Sequence, residues 1–177
     1  MAEKASKGNK EAYSTDVLRA LLQDPTRSVV EIAKEMKSYR QKVWRKKKAL
    51  EDGNVVWGYS AVVDESKLGH VMYFMLMKMK PMDRELVDLV ISRQKLGAYQ
   101  KQQVRLITLL YVNGAYDWLV MFSAPSHAIA RRYYDSIRVA YEKYLLEKPI
   151  LIDVNFQLIR EGKVNPEIER LHEFEPL

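Results

Sequence analysis

The chain has 177 residues, no cysteine and a formal net charge of +6. That length holds one good-sized domain or two small ones, and the lack of thiols excludes disulfides and thiolate chemistry. No run of 18 apolar residues occurs, so no membrane-spanning helix is expected. The opening MAEKASKGNKEAYS lacks the apolar centre of a signal peptide, and the absence of cysteine fits a reducing cytoplasm. The charge is uneven. Residues 1–58 hold 13 Lys/Arg against 8 Asp/Glu, whereas residues 59–177 hold 16 against 15. The basicity therefore sits in the N-terminal third.

Residues 1–13 are rich in Lys, Gly, Ser and Asn and read as a mobile arm. Ser14 or Thr15 can cap a first helix with the apolar stripe Val17, Leu18, Leu21 and Leu22, ended by Asp24–Pro25. Ser28 and Glu31 have the spacing of a capping box and open a second helix that buries Ile32, Ala33 and Met36. Lys37–Ser38 reads as a turn, with Ser38 as a possible cap. A third helix runs from Tyr39 to Glu51 and stops at Asp52–Gly53.

That third helix carries Arg40, Lys42, Arg45, Lys46, Lys47 and Lys48 within ten residues, with no acid until Glu51. On a helical wheel Val43 and Leu50 point to the first two helices. Gln41, Arg45 and Lys48 point away, with Lys42 and Trp44 at the flanks. A helical hairpin with one cationic helix is the arrangement that enters a DNA major groove. Residues 14–53 are thus read as a helix-turn-helix domain.

Residues 54–69 are expected to be an extended linker bent at Gly58. Beyond Gly69 the apolar pattern changes. Val71–Met79 reads as a strand, and Pro81–Met82–Asp83 begins a helix bearing Leu86, Val87, Val90 and Ile91. Val104–Val112 and Tyr116–Ala124 read as a hairpin around a tight Asn113–Gly114–Ala115 turn. Ser126 caps a long helix striped by Ala130, Tyr133, Tyr134, Ile137, Ala140, Tyr141, Tyr144 and Leu145. Pro149 breaks it, and Ile150–Ile159 is the last strand. Residues 70–160 then have the order βαββαβ, a ferredoxin-like domain in an α+β chain. The first strand is apolar on both faces: Val71, Tyr73, Met75 and Met77 on one, Met72, Phe74 and Leu76 on the other. Two helices cover only one face of such a sheet, so a second copy is expected on the other. Asn165–Pro166–Glu167 reads as a capped start for a short acidic helix in the tail, 161–177.

Several stretches together resemble the Lrp/AsnC family of transcription regulators. DVLRALLQDPTRSVVEIAKEM is similar to that family's first two helices, and VWRKKKALEDGNVVWGYSAVVDESKLG to its third helix and Gly-Tyr linker. YVNGAYDWLVMF is similar to its G-x-x-D hairpin, through Gly114 and Asp117. The resemblance covers roughly residues 14–160. It implies sequence-specific duplex DNA binding by dimers, often assembled into tetramers or octamers, with a small effector, commonly an amino acid, near the G-x-x-D hairpin. Carried over, the effector site would involve Gly114 and Asp117, with Asn113 and Tyr116 adjacent. Two departures stand out. The family turn usually reads Gly-Leu-Ser where this chain has Lys37–Ser38–Tyr39, and an apolar position after Val43 is filled by Lys47, whose stem must snorkel.

The DNA candidates divide by chemistry. Arg45, Gln41 and Arg40 suit base edges, since Arg matches guanine and Gln adenine. Lys42, Lys46 and Lys48 suit phosphate, and Tyr39 stands at the start of the same helix. Trp44 is read as packing against the linker, with a sugar contact as the alternative. Asp117 and Gly114 have a plain reading too, as a turn cap and a positive-φ glycine. His70, His127 and His172 lack ligand spacing, so no metal or other cofactor is expected. No Ser/His/Asp, Cys/His or phosphate-loop motif appears, so no catalytic residue is assigned. The alternative is an enzyme of the sirohaem decarboxylase type, which shares the Lrp-like plan. It would have only His70 and His127 with Arg131 or Arg132 to work with.

Overall fold

A computed structural model describes residues 16–95 and 103–176. The expected arm at residues 1–13 and the Ser14 or Thr15 cap lie outside the described residues. The chain divides into two compact units between Ala61 and Val62.

The first unit contains three helices: α1 (Asp16–Gln23), α2 (Val29–Glu35) and α3 (Arg40–Asp52). Their common core is Val17, Ala20, Leu21, Ile32, Ala33, Val43 and Leu50, with Leu18 and Met36 packed against it. Leu22, expected in the α1 stripe, is 71% exposed, and Ala20 takes its place. The capping box forms as its spacing demands: Glu31 N–H donates to Ser28 Oγ (3.2 Å) and Ser28 N–H to Glu31 Oε2 (2.7 Å). Hydrogen bonding from the Ser28 side chain, followed by that from the Ser28 backbone N–H, holds the Glu31 carboxyl below the usual carboxylate range.

Helices α2 and α3 end alike. After α2, Ser38 N–H reaches Ala33 O (2.9 Å) and Lys37 N–H reaches Lys34 O (3.2 Å). After α3, Val55 N–H reaches Leu50 O (2.9 Å) and Asn54 N–H reaches Glu51 O (3.0 Å). Both are Schellman closures, which need one left-handed residue. Asn54 (φ 55°) supplies it after α3; the helix stops at Asp52 with Gly53 as its C-cap, as expected, but Gly53 itself is at φ −82°. After α2 the left-handed residue is Lys37, at φ 47°. Ser38 is spent in that closure and is not the cap of α3. The N-cap is Tyr39, whose side chain makes no capping bond.

A lysine held at positive φ costs about 1 kcal/mol relative to glycine. Lys37→Gly should therefore raise the thermal unfolding midpoint of the first unit, read by circular dichroism. An unchanged or lower midpoint would show that Lys37 carries no such strain.

The second unit runs β1 (Val71–Met77), α4 (Arg84–Lys95), β2 (Arg105–Tyr111), β3 (Trp118–Ala124), α5 (His127–Ala140) and β4 (Ile150–Asp153). The sheet order is β2-β3-β1-β4, with every neighbouring pair antiparallel. This is the expected βαββαβ architecture. Asp83 Oδ1 accepts Leu86 N–H and starts α4, and Ser126 Oγ accepts Ile129 N–H and starts α5. Tyr73, Met75 and Met77 of β1 and Trp118, Val120 and Phe122 of β3 form one core with Leu86 and the α5 stripe. Ile91, expected in that core, is 46% exposed; Leu89 packs there with Val90.

Four boundaries differ from expectation. Helix α5 ends at Ala140 and does not run on to Pro149; Tyr144 lies in a separate 3-10 turn, Glu142–Tyr144. The first strand ends at Met77, and Met79 makes only an isolated bridge to Leu145. The tight turn is instead a six-residue loop between Tyr111 and Trp118. The last strand stops at Asp153, because β1 begins at Val71 and offers little edge beyond Met72, which still accepts Val154 N–H (2.9 Å). Ile159–Arg160 (β5) instead pairs with Lys163–Val164 (β6) in a separate hairpin. The tail then forms a 3-10 helix, Ile168–Phe174.

The tail hairpin is tied to the body of its unit. Glu65, only 3% exposed, accepts bonds from Arg105 of β2 and Arg160 of β5 on the same Oε1, Arg160 at 2.8 Å. Arg160 also donates to Val63 O (3.1 Å). Removing a partner from such a buried charge leaves the rest uncompensated.

Among the described residues of this unit, no helix packs on the opposite face of the sheet. Register places Phe74 beside Met121 and Ile152, and Leu76 beside Leu119 and Ile150, with Leu110 next to Leu119. Leu110, Ile150 and Ile152 are exposed, and the rest of this set half-buried.

Candidate nucleic-acid interface

The candidate interface is built on α3, and the burial of Val43 and Leu50 fixes which way it faces. Gln41 and Arg45 stand on the opposite, exposed side, joined by Lys48 one turn on. Arg40 and Lys42 occupy the first turn, and no acidic residue stands there. Cations at a helix N-terminus add to the positive end of the helix dipole instead of offsetting it. The result is a field that attracts anions, at some cost to the helix.

The cations are not equivalent. Lys48 pairs with Asp52 across one turn (3.2 Å). Lys47 snorkels as its inward position requires: its Nζ lies 4.9 Å from the Tyr59 ring centroid and 3.9 Å from Glu51 Oε1. Tyr59 Oη donates to Glu51 (2.9 Å), and burial, followed by that bond, pushes its pKa up to about 12. The linker therefore packs on α3 through Tyr59, Lys47 and Glu51. Arg40, Gln41, Lys42, Arg45 and Lys46 make no hydrogen bond or ion pair among the described residues, and Tyr39 is 83% exposed. Trp44, expected to pack on the linker, is 53% exposed.

The hairpin candidates sit in the second unit. Asn113 and Gly114 are exposed and Tyr116 is half-buried. Gly114 does not have positive φ, and a Cβ there would meet nothing. Asp117 is engaged: Oδ2 accepts Met79 N–H (2.7 Å) and lies 3.7 Å from Lys78 Nζ, while its backbone bonds Met77 and Val112. Its carboxylate fastens the end of β1 to the start of β3, a role that the spacing in the sequence did not distinguish from ligand binding.

His70 and His127, distant in sequence, line one cavity of about 320 Å³. Each is oriented through Nδ1, His70 by Ser123 Oγ (3.3 Å) and His127 by Tyr73 Oη (2.9 Å). Neither Arg131 nor Arg132 lines that cavity; Arg131 lies near Asp135 and over the Tyr134 ring. Among the described residues no group of three His, Asp or Glu could hold a metal ion, and no helix is long and apolar enough to cross a membrane.

No protein-family model and no curated protein matches the sequence. Solved structures do match the fold, and they define its class: a helix-turn-helix unit with a ferredoxin-like unit, as in Lrp/AsnC regulators. LrpA, the leucine response regulatory protein of Mycobacterium tuberculosis, superposes with a TM-score of 0.65 at 18% identity, over 85% of this chain and 95% of its own. An AsnC family transcriptional regulator from Agrobacterium tumefaciens gives 0.61 at 17%, over 85% and 94%. LrpC of B. subtilis gives 0.58 at 16%, over 81% and 93%. At these identities the likeness is one of fold.

If Asp117 is chiefly a structural tie, Asp117→Ala should destabilise the unit by about 1–3 kcal/mol in urea unfolding, since it strands a part-buried N–H. Unchanged stability would instead leave the carboxylate available for a ligand.

Proposed function

We propose that this chain is a transcriptional regulator of Lrp/AsnC type that binds duplex DNA through α3. The observation carrying this reading is α3, whose outward face presents Gln41 and Arg45, with Arg40, Lys42 and the half-buried Lys46 around it, all without intramolecular partners among the described residues. A folded protein gains nothing internally from such a row, whereas a phosphate backbone meets it directly. The shared fold with solved Lrp/AsnC regulators supports the same reading.

In this proposal Arg45, Gln41 and Arg40 read base edges, and Lys42, Lys46 and Lys48 meet phosphates, with Tyr39 at the entry of the helix. Two copies pair through the uncovered sheet face, which brings two α3 helices to one roughly palindromic site. A small effector at the 112–117 loop would meet the exposed Asn113 and Gly114 beside Tyr116, while the Asp117 carboxylate is already held by Met79.

Fluorescence anisotropy with labelled duplexes across a salt series tests this. Affinity should fall steeply with salt. Arg45→Ala should narrow the gap between preferred and random duplexes, and Lys42→Ala should weaken all duplexes alike and reduce the salt slope by about one. Absence of duplex binding at low salt would overturn the proposal; identical behaviour of the two variants would overturn the division into base and phosphate contacts.

A further inference from the structure

Helix α3 carries one aromatic residue, and it stands exposed among the cations. Trp44 is 53% exposed and, among the described residues, makes no ring stack, cation–π contact or hydrogen bond. Trp57 differs: its indole N–H is spent on Asn54 O (2.8 Å). Trp118, the third tryptophan, is buried in the other unit. At about 100° per residue, Trp44 lies one step from the buried Val43, hence about 80° from the centre of the outward face. One helical turn on either side of it stand Arg40 and Lys48.

We infer that Trp44 is a contact to the sugar–phosphate wall of the groove. The inference rests on the DNA-binding reading above and adds to it a term of different physics. A residue at the flank of an inserted helix faces the groove wall, not the base edges. The flat apolar ring suits the C–H surface of deoxyribose, and Nε1–H has a phosphate oxygen to donate to. Arg40 and Lys48, in the same row, hold the backbone that carries those sugars. The contact is thus apolar and sequence-tolerant, and it releases no counterions.

Its signature is a loss of affinity without a change in salt slope. Burying on the order of 50 Å² of indole corresponds to a factor of about ten. Trp44→Ala in the full chain should weaken binding about tenfold at every salt concentration and equally on preferred and random duplexes. Trp44→Phe should recover most of that loss. In a Trp57→Phe background, where only Trp44 and the buried Trp118 remain, acrylamide should quench Trp44 in the free protein and lose access when duplex is added. Unchanged affinity of Trp44→Ala, or a reduced salt slope, overturns the inference while leaving the DNA-binding reading intact. Trp44 shielded before DNA is added overturns it in favour of a protein partner. If the unsubstituted chain binds no duplex, both readings fall together.

Discussion

Two helices can cover only one face of a four-stranded sheet, and that constraint governs the second unit. Helices α4 and α5 bury the side that bears Tyr73, Met75, Phe122 and Val120. They leave Phe74, Leu76, Met121, Ile150 and Ile152 on the other side, where the described residues of this unit place no helix. Apolar strands on both faces are a design for burial on both faces. In the proposed dimer the missing layer is the same face of a second copy, a self-complementary arrangement with a twofold axis. The pairing also supplies what a single short helix lacks on DNA, a second copy at a fixed spacing.

The first unit faces a different conflict. Its small core orients α3 through Val43 and Leu50, yet the local sequence works against the helix. Cations crowd its positive end, its cap side chain makes no bond, and the turn before it forces a lysine into left-handed backbone. Local choices that cost stability without an internal gain are where function is expected. Here each unfavourable cation is a favourable phosphate contact in the proposed complex.

Periodicity made much of this legible. The Ser28–Glu31 box, the α5 stripe and the alternation of β1 each follow from a spacing that one conformation alone satisfies. What escaped reading depends on tertiary partners. Nothing local in Ile150–Ile159 shows that β1 runs out of edge at Met72, nor that Leu22 turns outward while Ala20 turns inward. The Schellman closures were half visible: a stop was evident near Gly53, but which residue takes the left-handed position was not. Of the candidate site, the direction of the basic helix was readable because Val43 and Leu50 are seven apart. The exposure of Trp44, the occupation of Asp117 by Met79 and the two-arginine hold on Glu65 were not. Each depends on residues remote in sequence or on where the linker packs.

The uncovered sheet face is the most exposed point of this account, and the association state of the full chain in the absence of DNA tests it directly. Sedimentation equilibrium at micromolar concentration should give the mass of two chains or a multiple of two. A single-chain mass persisting to hundreds of micromolar would contradict it.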